Sequence, residues 1–142
     1  MAYVSDMIDR TARVLPQTHH ADWLLRLPLA LVLLQYGFDK FPLSADVAAG
    51  WGLPLFLWGL AGVAEIVVAL MLVAGGMLRN RIGEVVTRIA GIGAALIVIG
   101  VIIVAYWAPP LDLILFNQFH ILLLCAGLYL ALSAPARKSE QG

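Results

Sequence analysis

The sequence predicts an all-α integral membrane protein: a four-helix bundle whose neighbouring transmembrane helices run antiparallel, preceded by a short interfacial helix. Three observations carry this prediction. The chain of 142 residues is 62% hydrophobic and 13% charged, whereas a soluble domain has about 45–50% apolar and about 25% charged residues. The apolar residues form four long runs that lack the alternation of strands. The cations are divided unevenly between the ends of those runs.

The first element, residues 1–22, is predicted to be a cytoplasmic amphipathic segment. One helical face carries the charges, and the other carries Val4, Met7, Ile8, Thr11, Val14 and Leu15. A helix with this division lies in the plane of the membrane surface. The helix should end before Pro16, because a proline inside a helix lacks the backbone N–H and clashes with the preceding turn.

Residues 23–136 are predicted to form one domain with four transmembrane helices, followed by a cytoplasmic tail at 137–142. A bilayer core requires about 20 apolar residues of helix. The segments that meet this requirement are about 23–43, 51–78, 83–107 and 111–134. The connections between them are short and contain Pro, Gly or Asn, so consecutive helices should be antiparallel neighbours.

The cations predict the orientation of these helices. Of nine Lys and Arg residues, only Lys40 lies at the ends that face the first and third connections. Cytoplasmic loops are enriched in Lys and Arg, so both termini should be cytoplasmic. Trp51, Tyr106 and Trp107 then fall at the outer boundary and Trp23 at the inner one, where aromatic residues concentrate.

Glu65 is the only charged residue of the second predicted span. Ionisable residues within the bilayer are costly and usually face the protein interior. Ala61, Gly62 and Ala69 share the helical face of Glu65, and small residues mark contacts between membrane helices. Glu65 should therefore point into the bundle, where it is protonated unless a cation pairs with it.

A polar pocket is predicted in the outer half of the bundle. The fourth span enters from outside with Asn117 and His120 on one face, and the first span leaves with Gln35 and Lys40. Together with Glu65, these five residues could line one pocket. Two other interpretations remain open: Lys40 as an anchor that reaches the outer head groups, and His120 as a hydrogen-bonding group between helices.

Several motifs resemble the DoxX family of small bacterial membrane proteins over about residues 23–140. Arg26 begins a span that ends in a glycine-x-x-lysine signature, Gly37-Phe38-Asp39-Lys40. Glu65 precedes an aliphatic stretch, Gly75-Gly76 and Arg79. The end, 130–140, resembles the family's glycine-rich, serine-acid close, with alanines at common glycine positions and Glu140 in place of aspartate. The family's frequent third-helix histidine has no counterpart, since the third span offers Tyr106 instead.

The resemblance implies a four-helix, multi-pass protein of the bacterial cytoplasmic (inner) membrane. Relatives include the DoxD-type subunit of thiosulfate:quinone oxidoreductase, so the resemblance also implies a redox complex. By family position, Arg26, Gly37 and Arg79 are expected to be structural residues. The lipid bilayer is the expected environment, with a protein partner or further copies of the chain beside it.

Three functions remain open from the sequence. The first is a subunit of a respiratory or redox system that binds a quinone in the polar pocket, where His120, Lys40 and Glu65 supply hydrogen bonds and protons. The second is a structural or assembly subunit without its own activity, and the third a small-solute transporter. Cys125, the single cysteine, excludes an internal disulfide relay. No metal-ligand spacing is present, and a net charge of zero gives no reason to expect a nucleic-acid partner.

Overall fold

The computed structural model describes residues 1–14 and 20–133, which form seven helices and no strand. The all-helical prediction is therefore confirmed for this part of the chain. Residues 15–19 and 134–142, which include the predicted cytoplasmic tail, lie outside it. The helices are α1 (Ala2–Val14), α2 (Trp23–Asp39), α3 (Ala45–Gly50), α4 (Leu55–Met77), α5 (Arg81–Ala105), α6 (Pro110–Phe116) and α7 (Gln118–Leu132).

Two of these helices, α4 and α5, are long and apolar enough to cross a membrane. The pair α6 and α7 is a third candidate if its two bent parts count as one span. Large apolar side chains on the outer surfaces of α4 and α5 are exposed, as expected of helices that contact lipid. These features support the prediction of a membrane protein.

The helices found at the first two predicted spans, α2 and α4, are shorter than the apolar runs that predicted them. Helix α2 ends at Asp39, and Pro42 follows it across a cis peptide bond with Phe41. The loop then folds into α3, where the Ser44 hydroxyl accepts a hydrogen bond from the Val47 N–H at 3.4 Å. Helix α4 begins after Pro54, because the chain first turns at Gly52, whose φ of 71° favours glycine.

The fourth predicted span is broken. Helices α6 and α7 meet at an angle of 94°, so residues 111–134 do not form one straight helix. Asn117 has φ −122° and ψ 37°, outside the helical region, and it both ends α6 and begins α7. Asparagine favours such positions because its side chain competes with the helical backbone.

The helices pack in the order α2, α4, α5, α7, and α2 also contacts α7. Residues near the start of α2 contact residues near the end of α4, and residues at the end of α2 contact residues nearer the start of α4. Arg26 of α2 bonds to Leu72 near the end of α4, while Lys40, just after α2, reaches Glu65 nearer the start of α4. Neighbouring helices α2 and α4 are therefore antiparallel, and their shared ends are named here the Arg26 end and the Lys40 end.

The same pattern relates α5 to α7. Gly91 lies against Ala131 near the end of α7, and Tyr106, just after α5, lies against His120 near the start of α7. The antiparallel pairs enclose an apolar core between the helices. Its most deeply buried large side chains are Leu29, Leu33, Leu72 and Leu130.

Glycines set the separation of the helices. A Cβ at Gly37 of α2 would lie 2.9 Å from the Gly62 carbonyl oxygen of α4, and one at Gly91 of α5 would lie 2.7 Å from the Gly127 carbonyl oxygen of α7. Close approach of backbones through small residues is typical of membrane helices. The packing of both pairs thus depends on glycine.

Gly91→Ala is expected to destabilise the protein by about 1–3 kcal/mol, because the new methyl group would press on the backbone of α7. Gly100→Ala is the matched control, since Gly100 lies on the same helix with open space around its Cβ position. Thermal unfolding in detergent should show a lower melting temperature for Gly91→Ala only. Equal melting temperatures for the two variants would contradict the close contact.

Two smaller features complete the fold. Helix α1 has no buried residue, so its assignment as an interfacial helix stays a prediction. Cys125, although it lies within an apolar run of the sequence, is exposed. The buried face of α7 carries Leu123, Ala126 and Gly127, and Cys125 lies away from that face.

Candidate functional site

A buried ion pair joins α4 to the end of α2. The Lys40 ammonium lies 2.7 Å from Glu65 Oε2 and 3.0 Å from Oε1. The Glu65 side chain is 2% exposed and the Lys40 side chain 12%. Removing both charges from water is costly, but each charge neutralises the other. Lys40 is therefore the cation that pairs with Glu65, which the sequence did not identify.

The Lys40 ammonium also lies beside an aromatic ring. It donates a further hydrogen bond to the Tyr36 carbonyl oxygen at 3.1 Å, and it lies 4.9 Å from the ring centroid of Trp58, within cation–π distance. Trp58 stacks in turn on Trp51. Lys40 therefore turns inward to the protein, and it does not extend to the head groups as the anchor interpretation required.

The close approach of α2 and α4 makes this inward turn possible. A Cβ at Gly62 would lie 3.2 Å from the Lys40 Cβ, so a larger residue there would push α2 away. Gly62 and Ala69 are buried on the face of α4 that carries Glu65. The small-residue face predicted around Glu65 is the face that packs against the protein.

His120 lies in the first turn of α7, with a relative exposure of 8%. Its ring contacts Tyr106 at a centroid distance of 4.3 Å and Phe119 edge-on at 5.5 Å. Tyr36 lies near enough to both Glu65 and Tyr106 to interact with them electrostatically. Tyr106 is thus in contact with His120, and no described hydrogen bond or ion pair joins His120 to Lys40 or Glu65.

The five residues of the predicted pocket do not all contact one another. Lys40 and Glu65 are paired, and the ring contacts of His120 are with Tyr106 and Phe119. Asn117 is half-buried at the break between α6 and α7, and Gln35 is exposed on α2. Within the described ranges, no hydrogen bond, ion pair or ring contact joins Gln35 or Asn117 to the other three.

Sequence reasoning missed the aromatic residues of this site. Tyr36 precedes Lys40 by four residues and Trp58 precedes Glu65 by seven, spacings that return to the same helical face. These spacings could have identified both residues. Tyr106 follows the end of α5, and nothing in its local sequence indicates that it contacts His120.

A second polar cluster lies at the Arg26 end. The Arg26 guanidinium donates to Asp22 Oδ2 at 2.7 Å, to the Leu72 carbonyl oxygen at 2.7 Å and to Thr87 Oγ1 at 2.9 Å. Its side chain is 5% exposed. Arg26 therefore connects α2, α4 and α5 inside the protein.

The two other family-matched positions differ in their surroundings. Gly37 is buried against Ile66 and Gly62 of α4, consistent with a structural role. Arg79 is exposed in the connection between α4 and α5, and it makes no hydrogen bond or ion pair with the described part of the chain. Its structural role stays a prediction.

The described residues contain no group of three or more His, Cys, Asp or Glu side chains that could hold a metal ion. The chemistry available at the Lys40 end is hydrogen bonding, proton exchange and ring stacking. Comparison of the chain with protein-family models, with curated proteins and with solved structures found no match.

Proposed function

We propose that the chain is a four-span subunit of a respiratory or redox system in the bacterial inner membrane, and that it binds a quinone head group at the Lys40 end. The observation that carries the proposal is His120: a buried imidazole that packs against the tilted ring of Tyr106 and makes no hydrogen bond with any described residue. The resemblance of the sequence to the DoxX family also supports the proposal.

The proposed membrane placement extends from the two long helices to their neighbours. Helix α2 is short, but it lies beside α4 from the contact of Arg26 with Leu72 to that of Lys40 with Glu65, so it occupies the same depth. Helix α7 lies beside α5 in the same way. The excess of cations at the Arg26 end supports a cytoplasmic location for both termini.

The Lys40 end would then face the outer leaflet. Full reduction of a quinone takes two electrons and two protons, and here a partner redox protein would supply the electrons. His120 can donate a hydrogen bond to a carbonyl oxygen and exchange a proton at the same atom. Tyr106 and Phe119 offer ring faces beside it. The exposed apolar surfaces of the helices suit the quinone's hydrocarbon tail.

The test is quinone binding by the purified protein in lipid nanodiscs. Decylubiquinone should quench the tryptophan fluorescence saturably, because Trp58 and Trp107 lie at the Lys40 end. A linear, unsaturable decrease equal to that of free tryptophan would contradict the proposal. Co-purification of a redox protein together with bound quinone would support it further.

A structural or assembly role is the second candidate, and the ion pair favours it. Both carboxylate oxygens of Glu65 are bound by Lys40, and the Arg26 guanidinium donates hydrogen bonds to three neighbouring residues. The Lys40–Glu65 ion pair and Arg26 thus both hold helices together. This role predicts that substitutions at Lys40 or Arg26 lower the abundance of the chain or of its partner, with no quinone binding in the unsubstituted protein.

A further inference from the structure

The His120 imidazole has unused hydrogen-bonding capacity. A neutral imidazole carries one donor and one acceptor nitrogen, and buried polar groups are normally paired. His120 is more than nine-tenths buried, yet in the described ranges its contacts are with aromatic rings. Arg88 Nε is the one fully enclosed side-chain N or O atom there that lacks a partner. The His120 nitrogens are therefore not fully enclosed by the described part of the chain.

The start of α7 adds donors beside this imidazole. The first N–H groups of a helix lack intrahelical acceptors and carry partial positive charge. At α7 no side chain caps them. Because α6 departs at 94°, it does not continue the helix over this end. His120 is the third residue of α7, so its side chain belongs to the same first turn as these N–H groups.

The charges at the Lys40 end select a neutral acceptor. Lys40 is the only cation in residues 39–78 and 89–133, and Glu65 already neutralises it. Asp39, Asp46 and Asp112 lie in the same region of the chain. A phosphate or carboxylate would find no free cation there, so an uncharged carbonyl oxygen fits the site better than an anion.

We propose that His120 and the uncapped start of α7 form the direct contact for a carbonyl oxygen of a neutral ring-shaped head group on a lipid-soluble molecule. The Lys40–Glu65 pair positions α2 and α4 and does not touch this ligand. Tyr106 supplies the ring against which the head group packs. The inference rests on the proposed function for its choice of ligand, and it assigns different roles to residues that the sequence placed in one pocket.

Two substitutions at His120 separate hydrogen bonding from ring packing. His120→Phe keeps a ring against Tyr106 and removes both nitrogens, and it should weaken decylubiquinone binding in nanodiscs at least tenfold. His120→Gln keeps a donor and an acceptor, and it should bind within threefold of the unsubstituted protein. Cys125→Ala, on an exposed position of the same helix, is the control and should not change binding.

A photoreactive azidoquinone gives a second measurement that needs no folded variant. On the unsubstituted protein it should label Tyr106 or residues 117–123, as mapped by mass spectrometry. Labelling confined to other helices would overturn the inference, as would unchanged binding by His120→Phe. In either case saturable quinone binding would leave the proposed function intact.

Failure of the proposed quinone function can also be distinguished from failure of the proposed contact site. If the quinone does not bind, a decyl-substituted benzophenone, which is itself photoreactive, tests the same site with another neutral ring-shaped molecule that carries a carbonyl oxygen. Its attachment at 117–123 supports the site and rejects the quinone function, whereas no attachment of either probe there rejects both.

Discussion

Lys40→Met is expected to destabilise the protein by about 3–5 kcal/mol, because removing one member of a buried ion pair leaves the other charge without compensation. The Glu65 side chain is almost fully buried, and the ammonium that binds both of its oxygens would be absent. Urea or guanidinium unfolding in mixed micelles should show the loss as a lower midpoint. Expression in membranes should fall in parallel.

The companion variants make this prediction specific. Glu65→Gln should cost less, about 1–2 kcal/mol, because Lys40 can still donate to Tyr36 and extend its flexible chain toward water. The double variant Lys40→Met/Glu65→Gln should recover most of the loss, since no buried charge remains. Additive losses in the double variant would show that the two side chains are not energetically coupled.

Arg26→Lys is expected to lower the free energy of unfolding by about 2–4 kcal/mol, even though it preserves the charge, since each hydrogen bond to a charged group contributes about 1.5–3 kcal/mol. The planar guanidinium reaches Asp22, Leu72 and Thr87 at once, whereas an ammonium presents a single nitrogen. Asp22 can regain water because its side chain is 31% exposed, which limits the loss. The same micellar unfolding assay measures it.

Arg79→Lys provides the matched control for Arg26→Lys. Arg79 is exposed, so its replacement should change the midpoint by less than about 0.5 kcal/mol, as is usual at surface positions. A loss at Arg79 as large as that at Arg26 would show that the family-matched position has a structural role that the described contacts do not reveal.

The sequence predicted the helices and the inward direction of Glu65 because both depend on local patterns. Long apolar runs without alternation predict helices, and small residues at spacings of three and four predict a packed face. The sequence did not identify the partner of Glu65, because its pairing with Lys40 depends on how α2 lies along α4. Gly37 and Gly62 allow that alignment through close backbone contact, which no single helix reveals.

The burial of Arg26 and the bend at Asn117 were missed for related reasons. Arg26 enters the interior because Gly76 leaves room for it: a Cβ there would lie 2.7 Å from the Arg26 Cδ. A search for apolar runs detects no such space. It also treated 111–134 as continuous, because hydropathy averages over Asn117 and ignores the backbone angles that separate α6 from α7.

The bend at Asn117 gives the protein an uneven hydrophobic thickness. At about 1.5 Å per residue, the 23 residues of α4 extend about 35 Å, whereas the 15 residues of α7 extend about 22 Å. A hydrocarbon core is about 30 Å thick. In the proposed four-span placement, lipid beside α7 would thin while lipid beside α4 would not, and a second subunit covering α7 would relieve this mismatch. In that placement, a partner subunit that packs against α7 would replace the lipid that is most strongly deformed.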